Sequence, residues 1–209
     1  MKITDTVYML ESTEGSHAYL ILGKEMMLVD TCFPGRGKKI LNELSSLNIN
    51  PQDIKHILLT HYDGDHIGNA AMLEQATGAA VWASAVDIPY IYGQKTRPGI
   101  KKYISFFMKA PPPTHINPYP DDHRLGEVQV IATPGHTPGH VCLLYQDVLF
   151  AGDLLASSKG QVKPSPALMN WDQTKLMESI RMITTFSFQW ICPAHGLPVE
   201  RGNQMEKFI

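Results

Sequence analysis

The sequence predicts a layered α+β or α/β domain. Short, β-rich runs cluster at the start of the chain and again in its second half, with apolar residues at helical spacing between the clusters. One run, "DIKHILLT", is almost continuously apolar. Such a run suits a strand covered by helices on both faces of its sheet. Strands in groups with helices between them pack as layers around a common core.

The elements follow in order. "VYMLES", "HAYLILG" and "EMMLVDT" read as three strands broken by "STEGS" and "GKE". "PGRGKKILNELSSLNI" switches to a helix with Ile40, Leu41, Leu44 and Leu47 on one face. The buried strand "DIKHILLT" comes next, then a helix over "IGNAAMLEQATGA" stopped by Gly78, then a short strand "AVWAS". After a long middle segment, "EVQVIAT", "VCLLYQ" and "DVLFAGD" give three more strands. "DQTKLMESIRMITTF" is a helix with Asp172 placed to cap its first turn, and "FQWICPAHG" a last strand running into a loop. With no internal repeat and no linker, the 209 residues are expected to form one domain, residues 1–209.

The totals exclude several classes. An apolar fraction of 44% with 18% charged residues is that of a globular chain, not a disordered one. A net charge of −2 gives no reason to expect a nucleic-acid partner or stable membrane association. No window approaches the ~18 apolar residues of a membrane span. The N-terminal stretch lacks the apolar core of a signal peptide. Cys32, Cys142 and Cys192 form no disulfide framework and no Cys-x-x-Cys site, so a cytoplasmic location is expected.

The chemistry concentrates in four places. "HYDGDH" (61–66) packs two histidines and two aspartates into six positions directly after an apolar strand. His136 follows "VQVIATPG", Asp153 follows "VLFAG", and His195 follows "WICPA". Each side chain able to ligate a metal stands just beyond a strand, and in layered sheets the loops beyond strand ends on one side meet in space. His61 and Asp63 point the same way in extended backbone, Gly64 permits a sharp turn, and Asp65 suits the start of the following helix. Crowded carboxylates and imidazoles are costly unless they share a cation.

These motifs together resemble the metallo-β-lactamase superfamily, whose signature is His-x-His-x-Asp-His, then a histidine, a bridging aspartate and a late histidine. "HYDGDH", His136 in "TPGHTPGH", Asp153 in "FAGD" and His195 in "CPAHG" match it, and Asp30 in "LVDTCFPG" resembles the family's acidic strand end before the first helix. The resemblance implies an αβ/βα sandwich of two mixed sheets flanked by helices, with two divalent metal ions, Zn foremost and Fe or Mn also accepted. His61, Asp63 and His136 would hold the first ion and Asp65, His66 and His195 the second, with Asp153 bridging. Asp65 is the implied catalytic residue, steering the activated hydroxide and taking its proton. Asp30 and His140 are candidates for orienting the ligands. One position departs from the signature: Asp63 stands where the second histidine is expected. An added carboxylate lowers the charge of the centre, so weaker Lewis acidity and more tolerance for Fe or Mn are expected.

The implied activity is that of a metallo-hydrolase acting on a small-molecule ester, thioester or lactone. The alternatives are a diiron protein handling oxygen or electrons, whose relatives of this fold carry an acidic residue at the place of Asp63, and a phosphodiesterase. Residues 86–120 read as a variable basic and aromatic insertion. Lys95, Arg97, Lys101, Lys102 and Lys109 supply its charge, and Ile100, Tyr103, Ile104, Phe106, Phe107 and Met108 its apolar face. A lid, apolar toward the pocket and basic toward an anionic substrate, is one role open to it. A helix on a membrane surface, a homodimer contact and a plain surface helix are the other roles open to it. Cys32 is expected to be a buried, inert thiol. His17, His56, His115 and His123 read as ordinary core or loop residues.

Overall fold

The computed structural model describes residues 1–108 and 110–209, with the side chains of Ser105, Phe106 and Phe107 left aside. The chain opens with β1 (Val7–Met9), β2 (Tyr19–Leu22) and β3 (Met26–Val29), paired antiparallel. Helix α1 (Gly37–Ser46) leads to β4 (Ile54–Leu58), and α2 (Gly64–Ile67) and α3 (Ala70–Thr77) lead to β5 (Ala80–Ala83). Helices α4 (Ile88–Ile91) and α5 (Lys101–Phe107) fill the connection to β6 (Ile116–Pro118). From β3 to β6 the strands pair parallel in sequence order, as helical crossovers require. The second sheet begins with β7 (Arg124–Leu125), β8 (Val128–Ala132), β9 (Val141–Tyr145) and β10 (Val148–Gly152). A hairpin of β11 (Leu155–Ser158) and β12 (Gln161–Pro164) and helix α6 (Gln173–Thr184) precede β13 (Trp190–Pro193) and β14 (Val199–Glu200). The order in that sheet is β14-β13-β10-β9-β8-β7, with β10 and β13 parallel.

Three apolar layers hold the elements together. Between the sheets, Tyr19, Ile21, Met27, Val29 and Leu58 meet Val130, Val141, Leu143, Phe150 and Cys192. Outside the first sheet, Ile40 and Leu44 of α1 and Ala70 and Leu73 of α3 pack with Leu20, Leu28, Ile57 and Val81. Outside the second, Leu176, Ile180 and Ile183 of α6 pack with Leu149 and Ile191. Each fully buried Leu or Ile contributes roughly 1.5–3 kcal/mol relative to exposure. The result is the αβ/βα sandwich. Asp172 caps α6 as its position suggests, its Oδ1 accepting from the backbone N–H of Lys175 at 3.0 Å.

The helix expected after "HYDGDH" is two helices, α2 and α3, parted at Gly68 and Asn69. Backbone from another loop approaches there: a Cβ on Gly68 would lie 2.3 Å from the Cys32 carbonyl oxygen and 2.4 Å from the Pro34 nitrogen. The Asn69 side chain fills the break, donating to the Thr31 and Phe33 carbonyls at 2.5 and 2.8 Å and accepting from the Gly37 N–H at 2.8 Å. Gly68→Ala is therefore expected to cost about 3 kcal/mol, the upper end of overpacking penalties, because main chain must move. Urea unfolding measures this, and a loss below about 1 kcal/mol would show that the contact relaxes freely.

The strands β3, β4, β8, β10 and β13 all point their C-terminal ends toward one edge of the sandwich. Asp30, Thr60 to His66, His136, Asp153 and His195 follow those ends directly. The sequence reading missed the β11–β12 hairpin and the short edge strands β6, β7 and β14, which are too brief to carry a period-two pattern. Among the described residues no helix is long and apolar enough to cross a membrane.

Candidate metal centre

The edge of the sandwich is built by unusual backbone. Asp30 and Cys32 adopt left-handed conformations, φ 57° and 63°, which cost energy for side chains with a Cβ. The cost at Asp30 is offset by what the turn allows its carboxylate to do. Oδ1 accepts from the Thr60 N–H at 2.8 Å, and Oδ2 accepts from the Thr60 hydroxyl at 2.7 Å and the His66 Nδ1–H at 2.8 Å. On the facing sheet Gly152 turns with φ +48°, where a Cβ would stand 2.7 Å from His140 Nε2. That glycine lets β10 deliver Asp153 beside the histidines.

The four histidines of the motif share one design. His66 binds Asp30, His136 Nδ1 lies 2.9 Å from Asn170 Oδ1, and His195 Nδ1 lies 2.7 Å from the Gly15 carbonyl. His61 Nδ1 lies 3.0 Å from the Thr60 hydroxyl, whose own proton goes to Asp30. Every Nδ1 thus donates outward, which turns Nε2 inward as the free donor atom. The inward atoms meet carboxylates: Asp153 Oδ1 is 3.2 Å from His66 Nε2 and 3.3 Å from His195 Nε2, and Asp153 Oδ2 is 3.2 Å from His136 Nε2. Asp63 Oδ2 is 3.4 Å from His61 Nε2, and Asp65 Oδ2 is 3.3 Å from His195 Nε2. Two groups result. His61, Asp63, His136 and Asp153 each offer an atom within 4.8 Å of the others, and Asp65, His66 and His195 do the same.

Three of these buried atoms, His61 Nε2, His66 Nε2 and Asp153 Oδ1, have no hydrogen-bond partner. The short separation of His66 Nε2 from Asp153 Oδ1 is not in hydrogen-bonding geometry. Orphaned donor atoms at a convergence of imidazoles and carboxylates fit a divalent cation, which satisfies several lone pairs at once. His140 is different. Its Nε2 accepts from the Asp153 N–H at 3.1 Å and its Nδ1 meets the Thr133 hydroxyl at 2.8 Å. With both nitrogens used, it orients the Asp153 loop and offers nothing to an ion.

Without a cation the centre holds protons. Burial would lower the His66 pKa, but the carboxylates of Asp153, Asp30 and Asp65 together lift it well above the ordinary histidine value. Burial likewise opposes charge on His195, and hydrogen bonds to Asp153 and Asp65 raise it to about 10. His61 goes the other way, held neutral by burial and by the neighbouring His66. Asp153 is kept well below the usual carboxylate range because His66 and His136 outweigh its burial.

Four supporting residues carried no signal in the sequence. Thr60 links Asp30 to His61, and Asn170 fixes His136 from a loop distant in sequence. Asp87 is buried and holds the "TPGHTPGH" loop, accepting from the Thr137 hydroxyl at 2.7 Å and the Gly139 N–H at 2.8 Å; burial pushes its carboxyl up to about 6. The fourth, Lys101, corrects the expectation for the middle segment. Instead of facing solvent or substrate, its side chain is buried beneath α5, with Nζ 2.6 Å from Asp63 Oδ2 and 2.8 Å from His136 Nε2. Tyr103, assigned to the inner face, is 62% exposed. The expected roles of the Phe106 and Phe107 side chains and of Lys109 lie outside the described residues. Cys32 is buried, its thiol 3.5 Å from the Thr13 carbonyl with its pKa raised by burial, and is no part of either group.

Asp30→Ala is expected to weaken binding of the ion held by Asp65, His66 and His195 by about 10–100-fold, since His66 loses the acceptor that sets its ring. Zinc titration of metal-free protein checks this, and an unchanged affinity would mean that Thr60 alone orients His66.

Comparison with known proteins places this geometry. Residues 13–195 match the family model described as the metallo-beta-lactamase superfamily. Similar proteins include the probable metallo-hydrolase YflN of Bacillus subtilis (strain 168), 26% identical over 94% of this chain and 82% of its own. Another is the probable metallo-hydrolase MJ0888 of Methanocaldococcus jannaschii, 27% identical over 91% of this chain and 90% of its own. Among solved structures, TTHA1623 in a di-iron-bound form superposes with a TM-score of 0.73 at 26% identity, over 90% of each chain. Motifs, sandwich and match over most of its length agree: the chain belongs to the metallo-beta-lactamase superfamily.

Proposed function

We propose that the protein is a metal-dependent hydrolase of small esters, thioesters or lactones. The observation that carries this reading is the inward convergence of three imidazole Nε2 atoms, those of His66, His136 and His195, on one buried carboxylate, with His66 Nε2 and Asp153 Oδ1 left without a hydrogen-bond partner. His61, Asp63, His136 and Asp153 would hold one divalent ion, and Asp65, His66 and His195 a second, with Asp153 reaching both. Bound there, such ions supply a nucleophile from water near neutral pH and polarise a carbonyl oxygen. No serine or cysteine nucleophile is then needed, in keeping with the buried, raised-pKa thiols of Cys32 and Cys142.

The protein's own groups do the rest. The Asp65 carboxylate, with Oδ2 3.3 Å from His195 Nε2 and 3.8 Å from His66 Nε2, is the base that accepts the proton released from water. The adjoining cleft, lined by Asp63, Asp65, Arg97, Lys101, Ile104 and Met108, is only about 30 Å3, room for a single water. Asp65→Asn is expected to lower kcat by about 10²–10⁴-fold, the usual worth of a positioned base. Full turnover with metal content unchanged would remove Asp65 from this role.

The test of the activity is a hydrolysis screen over lactones, thioesters, esters, phosphodiesters and β-lactams, on protein of measured metal content. Turnover of the first three classes supports the reading; turnover of phosphodiesters alone replaces it with the phosphodiesterase alternative. A second reading, a diiron protein handling oxygen or electrons, draws on TTHA1623, which was solved in a di-iron-bound form. Iron that cycles between oxidation states with no hydrolytic turnover would favour it. Strictly zinc in the isolated protein would count against any tolerance for Fe or Mn.

A further inference from the structure

Lys101 stands in the group of side chains that would hold the first ion. Its ammonium has three donors and meets three acceptors: Asp63 Oδ2 at 2.6 Å, His136 Nε2 at 2.8 Å and the His136 carbonyl at 3.1 Å. The side chain is 4% exposed, so the charge is taken out of water and met by protein alone. Two of its three acceptors are themselves members of the four-residue group His61, Asp63, His136 and Asp153. An imidazole Nε2 has one lone pair. While His136 Nε2 accepts from the ammonium, it cannot also ligate a metal.

The sequence carries a matching change. The superfamily signature has a histidine at the position of Asp63, and it is the Asp63 carboxylate that receives the shortest of the lysine's bonds. A neutral imidazole there would offer one lone pair and no charge to hold a buried ammonium. Carboxylate and lysine read as one substitution in two parts, supplied from β4's loop and from the start of α5. Among the described residues, the other group, Asp65, His66 and His195, has no lysine or arginine in ion-pair contact.

We propose, on the metal-centre reading above, that Lys101 is an intramolecular occupant of the first metal subsite. With α5 docked, the centre takes a single divalent ion, held by Asp65, His66 and His195 with Asp153. A second ion enters only when Lys101 withdraws from Asp63 and His136, which carries the start of α5 away from the cleft. Metal content and the closure of the cleft are thereby coupled.

The experiment is a Zn(II) titration of the full metal-free chain, by calorimetry and by metal analysis after dialysis, for the wild type, Lys101→Leu and Asp63→His. Leucine removes the ammonium and cannot ligate; histidine removes the carboxylate that holds it and restores a neutral ligand. The wild type is expected to bind one ion tightly and a second at least 100-fold more weakly. Both variants are expected to bring the two affinities within about tenfold. Acetylation of Lys101, read by mass spectrometry, is expected to be blocked in the metal-free and one-ion forms and to appear only at the zinc concentrations that fill the second subsite. Two ions bound by the wild type with affinities within tenfold would overturn the proposal while leaving the metal centre standing. So would a second-ion affinity unchanged within threefold in both variants. Zinc bound by none of the three proteins would overturn both readings.

Discussion

Asp153→Ala is expected to abolish tight ion binding and to lower kcat/KM by at least about 10⁴-fold, on the order of 5 kcal/mol of transition-state stabilisation. The reason is its position. Asp153 Oδ1 faces His66 and His195, and Oδ2 faces His136, so one carboxylate serves both groups. The residue is 7% exposed, and its loop is fixed by the bond from its N–H to His140. Alanine leaves His66 and His195 facing each other across a site that has lost the carboxylate between them. Asp153→Asn separates charge from shape: the amide keeps the volume and the loop, so a loss comparable to that of alanine assigns the effect to the negative charge. Metal analysis and kinetics on the best substrate of the screen decide the matter. A variant that holds its metal and loses less than tenfold in kcat/KM would show that Asp153 is not shared.

The sequence made the sandwich and the six ligand candidates outside position 63 readable for a physical reason. His61, His136, Asp153 and His195 each sit within four residues of an apolar strand's end, Asp65 and His66 follow in the short helix after the same loop, and parallel strands deliver their ends to one edge. "VLFAG" followed by Asp153 and "WICPA" followed by His195 carry that information locally. What holds those residues was not local. Asn170 reaches His136 across 34 positions and Gly15 reaches His195 across 180, through contacts that no periodicity announces. Asp30 could be suspected from its strand end, but Thr60, between strand and motif, looked like the last residue of an apolar run. The middle segment was misread because charge pattern alone assigns lysines to water. Lys101 is the exception that burial with full hydrogen bonding allows, and its acceptors, Asp63 and His136, lie 38 and 35 residues away. Gly68 broke an expected helix for a similar reason: the obstacle is backbone from the Cys32 to Pro34 loop.

Binding of the ion held by Asp65, His66 and His195 is expected to release up to two protons, so that its apparent affinity rises with pH between pH 7 and 8.5. The count comes from the metal-free centre. The pKa values of His66 and His195 are both raised, the first lifted by Asp153, Asp30 and Asp65 over the opposing effect of burial, the second to about 10. An ion that takes both Nε2 atoms must displace both protons. His61 is already neutral, through burial and the charge on His66, and releases none. The His195 side chain is 38% exposed, so water screens part of the field on it and its proton is the first to weaken as pH rises. The same shifts set the stability of the metal-free fold. Histidines raised on folding contribute fully below their ordinary value of 6.5, and that contribution is lost as pH climbs through their folded values. Asp153, depressed on folding, contributes above its ordinary 3.8 and ceases to as pH falls through its folded value. His61 and His140, depressed on folding, cost stability as pH falls below 6.5, so the metal-free protein is most stable near pH 6.5, and above that the zinc-loaded protein gains relative to it. The gap in Tm between loaded and metal-free protein should widen from pH 6.5 to 8.5. Calorimetry in two buffers of different ionisation enthalpy counts the protons directly. Fewer than about half a proton per ion would mean that zinc binds without displacing His66 and His195, and the assignment of the second subsite would fall.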